Sequence, residues 1–180
     1  DEQTRSITAT MIERGINSPR TSSMGRLFDA AAAILGICGQ ATYEGEPAIE
    51  LEAAAWRALD GEIARFPDNN VGYFASGPSL LDQKALFEAL LEGIEAEAPA
   101  DRLALDFHVS VARSSARIAS DICACEGIDT VALSGGVFMN RLLLHLLTVL
   151  VPHTVPVNDG CIAYGQAAVA SARLAQIASQ

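Results

Sequence analysis

Three consecutive apolar residues, Val131, Ala132 and Leu133, run directly into Ser134–Gly135–Gly136, and an apolar helical pattern follows at once. A strand without a polar face is a strand covered on both sides, which points to an α/β fold. Glycines at the carboxyl end of such a strand let the backbone approach a ligand closely, and the following helix start aims amides at an anion. A plain tight strand–helix turn reads the same way. The frame is neither G-x-G-x-x-G nor a Walker loop.

The rest of the chain is dominated by helical spacing. Residues 1–15 carry Ile7, Met11 and Ile12 on one face and close on Gly15, and a linker follows. Residues 24–38 form a strong helix with Leu27, Ala31 and Ile34 in one stripe, and Ser22 or Ser23 stands where an amino-terminal cap belongs. A second Ala/Glu-rich helix covers 47–66, with Pro47 at a permitted first-turn position. A short strand is expected at 71–75, then helices at 82–95 and 101–125, the latter stopped by Gly127. Beyond the glycine turn we expect a helix over 138–147, a strand over 148–151, and a final helix from Asp159–Gly160 to Ala178.

The run LLHLLTVLV passes from the expected helix to the expected strand without Gly, Pro, Asn or Asp. Helix-to-strand connections usually take about 2–6 residues, so several residues are expected to be absent near Leu147–Thr148. The start at Asp1 raises the same expectation for the amino end.

Composition narrows the partners. With 50% hydrophobic and 19% charged residues, the chain is too apolar for disorder, and 180 residues suit one domain or one lobe of a larger one. Twelve basic against 22 acidic residues leave a net charge of −10, which argues against nucleic acid or an anionic membrane as main partner. A nucleotide stays open, because a few amides and one cation suffice for it. Lys84 is the sole lysine and falls on a surface-like helix, so P-loop and Schiff-base mechanisms are dropped. No signal-peptide pattern and no apolar run of about 18 residues are visible, and a reducing cytoplasm is expected.

Several residues are candidates for chemistry. Asn140, four residues past Gly136, could hydrogen-bond a base or a ribose, or simply cap a helix. Gly25 and Asp29 lie one turn apart, and Asp29 interrupts an otherwise apolar run, which suits a partner such as a ribose hydroxyl. Asp159, in NDG, is either a helix cap or a carboxylate presented to a metal. Glu44, Glu46, Glu50 and Glu52 read as a solvated helix start, with a cation or ligand as the alternative. Cys38, Cys123, Cys125 and Cys161 form no C-x-x-C pair and are expected to be small buried hydrophobes. His108 reads as a satisfied core or helix-face histidine, and Ser134 lacks the G-x-S-x-G frame of a hydrolase nucleophile.

Taken in order, TSSMGRLFDAAAAILGIC, YEGEPAIELEAAA, LDFHVSVA, VALSGGVFMNRLLL and VPVNDGCIAYGQAAVA resemble the carboxyl-terminal transferase domain of the HypF-type carbamoyltransferases. The resemblance covers most of the chain. It implies the actin-like, sugar-kinase and Hsp70 fold, with residues 1–180 as its second lobe, one sheet covered by helices. It implies that Gly135, Gly136 and Asn140 face a nucleotide, that Gly25 and Asp29 contact its adenosine, and that Asp159 ligates iron or zinc. The family's other metal ligands, a histidine pair and a further Asp, lie in the first lobe and have no counterpart here. Family members form carbamoyl-adenylate from carbamoyl phosphate and ATP. They then pass the carbamoyl group to the carboxyl-terminal cysteine of HypE, on the way to the cyanide ligand of nickel–iron hydrogenase. An isolated lobe is expected to be inactive in transfer, and no catalytic residue is assigned. The alternatives are a sugar-kinase-like phosphotransferase and a non-catalytic nucleotide-binding interaction lobe.

Overall fold

The computed structural model describes residues 2–59 and 81–150. The expected strand at 71–75, Asp159 and the final helix lie outside them. The described elements are helices α1 (Glu2–Arg14), α2 (Met24–Ile34), α3 (Glu46–Ala58), α4 (Gln83–Glu95), α5 (Ala100–Glu126) and α6 (Arg141–Leu150), with a 3-10 turn at Gly136–Met139 ahead of α6.

Helix α5 is the spine. Its 27 residues span about 40 Å at the usual rise per residue. Most of its residues from Leu103 to Ser114 are buried, and it packs against both α3 and α6. The apolar stripes of the neighbours follow helical spacing: Leu27 and Ala31 with Phe28 and Ala32 on α2, and Leu51, Ala54 and Ala55 on α3. Alanine at these contacts lets helix backbones approach closely, and Phe28 fills the remaining volume. Its ring meets Phe107 edge-on at 5.2 Å and His108 at 5.0 Å, the arrangement aromatic quadrupoles favour. At the rim, Arg57 of α3 holds Asp101 of α5 through two hydrogen bonds of 2.9 and 2.7 Å. This pairing keeps the Asp101 carboxyl below the usual carboxylate range.

The ends show which local signals were sufficient. Asp82 caps α4 by accepting from the Ala85 amide at 3.0 Å. Helix α5 stops at Gly127, whose φ of +65° is open to glycine at little cost. Helix α3 begins one residue before the expected start and ends at Ala58, eight residues short of the expected 66, and α2 ends at Ile34, four residues short of the expected 38. Ser23 does occupy the cap position of α2, but its side chain makes no cap hydrogen bond; its amide instead donates to Thr21 Oγ1. Helix α1 buries no residue.

Three further expectations are corrected. Thr148, Val149 and Leu150 are the last residues of α6, and not the start of a strand. No helix breaker stands at 148–150, so the helix propagates through them, and the Thr148 hydroxyl bonds back to the His145 carbonyl at 2.9 Å. Residues 128–134 connect α5 to the glycine turn without strand pairing among the described residues, though Leu133 packs on the core. Among the described residues the cysteines are less buried than expected: Cys38 is half-buried at the edge of the core, and Cys123 and Cys125, half-buried and exposed, sit on the last turns of α5, which run past it; Cys161 lies outside the described residues.

Candidate functional site

The amino end of α2, the start of α3 and the turn at 134–140 enclose a cavity of about 720 Å³. Gly25 and Asp29 line it from α2, and Gly135, Gly136 and Asn140 line it from the turn more than a hundred residues later. Five of the six site residues that the family resemblance implies therefore meet on one concave surface; the sixth, Asp159, is outside the described residues.

The glycines there differ in their reasons. Gly135 has φ +112°, a backbone conformation that side chains rarely adopt. Neither Gly136 nor Gly25 has a positive φ. A Cβ on Gly136 would meet nothing within 4 Å, and one on Gly25 would meet only Ser23 Oγ, at 3.6 Å. The fold does not require glycine at either position. Each leaves room at the cavity wall instead.

Asn140 opens α6. Its Oδ1 accepts from the Leu143 amide at 2.8 Å, a helix cap, and its Nδ2 donates to His108 Nε2 at 2.9 Å. That direction follows from the other side of the ring, where Nδ1 stands 2.7 Å from the Ala104 carbonyl and must donate. His108 has no exposed surface, and desolvation pulls its pKa down to about 4, so it is neutral at physiological pH. The histidine is the satisfied core residue its context suggested, and it fixes the Asn140 amide at the cavity wall.

The helix-start amides, expected to face an anion, are already engaged. Glu52 of α3 reaches across the cavity edge, and its Oε1 accepts from the amides of Arg141 at 2.9 Å and Leu142 at 3.2 Å, and from Trp56 Nε1 at 3.1 Å. Sequence reasoning placed Glu52 on a solvated helix face. Its spacing from Trp56 is a helical i,i+4, but nothing local links it to residues 89 positions away. Glu46 has a structural task as well. It accepts from the Thr42 amide and, at 2.9 Å, from the Thr42 hydroxyl. These bonds hold its pKa below the ordinary value. Asp29 pairs with Arg26 at 2.8 Å. Among the described residues the charged lining is thus one cation, Arg26, and three carboxylates, Asp29, Glu44 and Glu52.

Among the described residues no group of three His, Cys, Asp or Glu side chains stands ready to hold a metal ion, and no chemical step is assigned to one. No helix among them is long and apolar enough to cross a membrane.

Residues 1–166 match the family described as "Carbamoyltransferase, Kae1-like Domain, second subdomain". The chain belongs to the HypF carbamoyltransferase family, and its fold class is the α/β actin-like, sugar-kinase and Hsp70 class. It is 38% identical to carbamoyltransferase HypF of Rhodobacter capsulatus, over 94% of this chain and 22% of that protein. It is 39% identical to a HypF homolog of Cupriavidus necator, over 94% of this chain and 45% of the homolog. The crystal structure of T. kodakarensis HypF superposes with a TM-score of 0.68 at 31% identity, covering 84% of this chain and 19% of that one. The chain thus spans less than half the length of these relatives.

Proposed function

We propose that this chain is the nucleotide-binding lobe of a HypF-type transferase. It holds carbamoyl-adenylate, formed from carbamoyl phosphate and ATP, while the carbamoyl group passes to the carboxyl-terminal cysteine of HypE. The observation that supports this most is the convergence of Gly25, Asp29, Gly135, Gly136 and Asn140 on one cavity. The two glycines that the fold does not need mark where a ligand approaches the backbone.

In this reading Asp29 accepts from the ribose hydroxyls, Asn140 contacts the nucleoside with an amide held still by His108, and the phosphate lies along Gly135 and Gly136. The HypE thiolate, its proton already lost, attacks the carbamoyl carbon. The carbon–sulfur bond forms, the bond to the phosphate oxygen breaks, and AMP leaves with that electron pair. AMP is a good leaving group, so the lobe needs no nucleophile of its own; its work is to bind and orient. A divalent metal, iron or zinc, held by Asp159 with ligands from the first lobe would supply Lewis-acid polarisation of the acyl-adenylate. The compartment in this reading is the cytoplasm.

Equilibrium binding of AMP to the full chain tests the assignment. Gly136→Val and Asp29→Ala are each expected to weaken AMP binding by at least about tenfold, which corresponds to about 1.4 kcal/mol. Unchanged affinity in both variants would refute it. Carbamoyl-phosphate-independent ATP turnover with a sugar would instead establish a phosphotransferase of the same fold, and nucleotide binding without any turnover in the complete enzyme would establish an interaction lobe.

A further inference from the structure

Glu52 occupies a position that the nucleotide reading leaves without a role. A helix start is ordinarily a place for an anion, because its first amides lack partners and its dipole favours negative charge. Here the first two amides of α6 are taken by a carboxylate from a different helix, on the wall of the same cavity. The third is taken by Asn140. Glu52 is only half-buried, and a third donor, the Trp56 indole, holds its oxygen in place. Among the described residues the remaining lining charges do not offset it, since Arg26 is committed to Asp29 and Glu44 adds another carboxylate.

A fixed negative charge at this point penalises each further negative charge on the ligand. A phosphate monoester carries close to two charges near neutral pH. An acyl-adenylate, whose phosphate is esterified on both sides, carries a single one, and ATP carries more than either. We propose that Glu52 is a specificity-determining residue that selects ligands by charge, favouring the singly charged acyl-adenylate over AMP and, more strongly, over ATP. The proposal rests on the nucleotide reading of the cavity. It predicts that the lobe discriminates against the triphosphate from which the acyl-adenylate derives.

The test is a comparison of adenosine, AMP and ATP binding to the full chain, without divalent cations, for the unmodified protein and for Glu52→Gln. Glutamine keeps an oxygen acceptor for the α6 amides and removes only the charge. The unmodified protein is expected to bind ATP more weakly than adenosine. Glu52→Gln should tighten ATP by about tenfold or more while adenosine changes by less than about twofold, as expected for one charge removed near a multiply charged ligand. Equal changes for all three ligands would overturn the charge-selecting role and leave the nucleotide reading intact. Absence of adenosine and AMP binding in the unmodified protein would overturn both. Should Glu52→Gln fail to fold, the unmodified protein still decides the question. Raising salt from about 0.01 M to 1 M screens the cavity charge and should narrow the gap between ATP and adenosine affinities, and a gap indifferent to salt would overturn the proposal.

Discussion

Replacing Asn140 by alanine removes two hydrogen bonds that point in opposite directions. One is the cap: Oδ1 accepts from the Leu143 amide at 2.8 Å, and losing such a cap costs about 1 kcal/mol. The other is the donation from Nδ2 to His108 Nε2 at 2.9 Å. His108 has no solvent contact, so its ring nitrogen would be left without a partner, at a cost of about 1–3 kcal/mol. The sum, about 2–4 kcal/mol, is a large part of the stability of a typical domain. Urea unfolding near pH 7.5, followed by circular dichroism, reads it as a lowered midpoint at constant slope. Asn140→Asp keeps the cap but sets a carboxylate oxygen against the Nε2 lone pair, so it is expected to be no more stable than Asn140→Ala near pH 7.5. A loss below about 0.5 kcal/mol in Asn140→Ala, the range of ordinary surface substitutions, would refute the reasoning.

The buried histidine makes stability depend on pH. Its folded pKa of about 4 lies below the ordinary 6.5, so the unfolded chain takes up a proton first as the pH falls. Stability from this source is complete above pH 6.5 and declines by about 1.4 kcal/mol per pH unit toward pH 4, about 3 kcal/mol in all. Unfolding of the wild type and His108→Gln at pH 7 and pH 4.5 checks this: the difference between the two proteins should shrink at the lower pH, and a constant difference would rule the histidine out as its source. Phe28→Ala, at a site fully buried between Phe107 and His108, is expected to cost about 3–5 kcal/mol in the same unfolding assay, and a loss under about 1 kcal/mol would mean that the core repacks without it. Gly136→Val should leave the thermal midpoint within about 2 °C of the wild type, since its side chain meets open space, while weakening AMP binding as given above.

What was legible in the sequence was what the backbone decides within a few residues. Asp82 accepts from an amide three residues on, and Gly127 turns the chain where it stands, so α4 and α5 were expected to within a residue of where they lie. The glycine turn after Leu133 and the G-x-x-x-D pair on α2 could be singled out by residue type, and the family resemblance supplied the idea that they serve one ligand. Residues 148–150 could not be settled locally, because the apolar run LLHLLTVLV suits a helix and a strand alike. Periodicity cannot separate the two in so short a stretch.

The chain's helix pattern, its acidic balance and its glycine turn were determined by residue types and their spacing alone. Only the tertiary structure decided that Glu52 would fill the start of α6, 89 residues away, and that Asn140 would spend its amide on His108, 32 residues back. A cap or a positive φ satisfies backbone groups adjacent in the chain. A carboxylate on one helix and an amide on another become neighbours only when the buried faces of α3, α5 and α6 pack together, and that packing sums apolar area over the whole core.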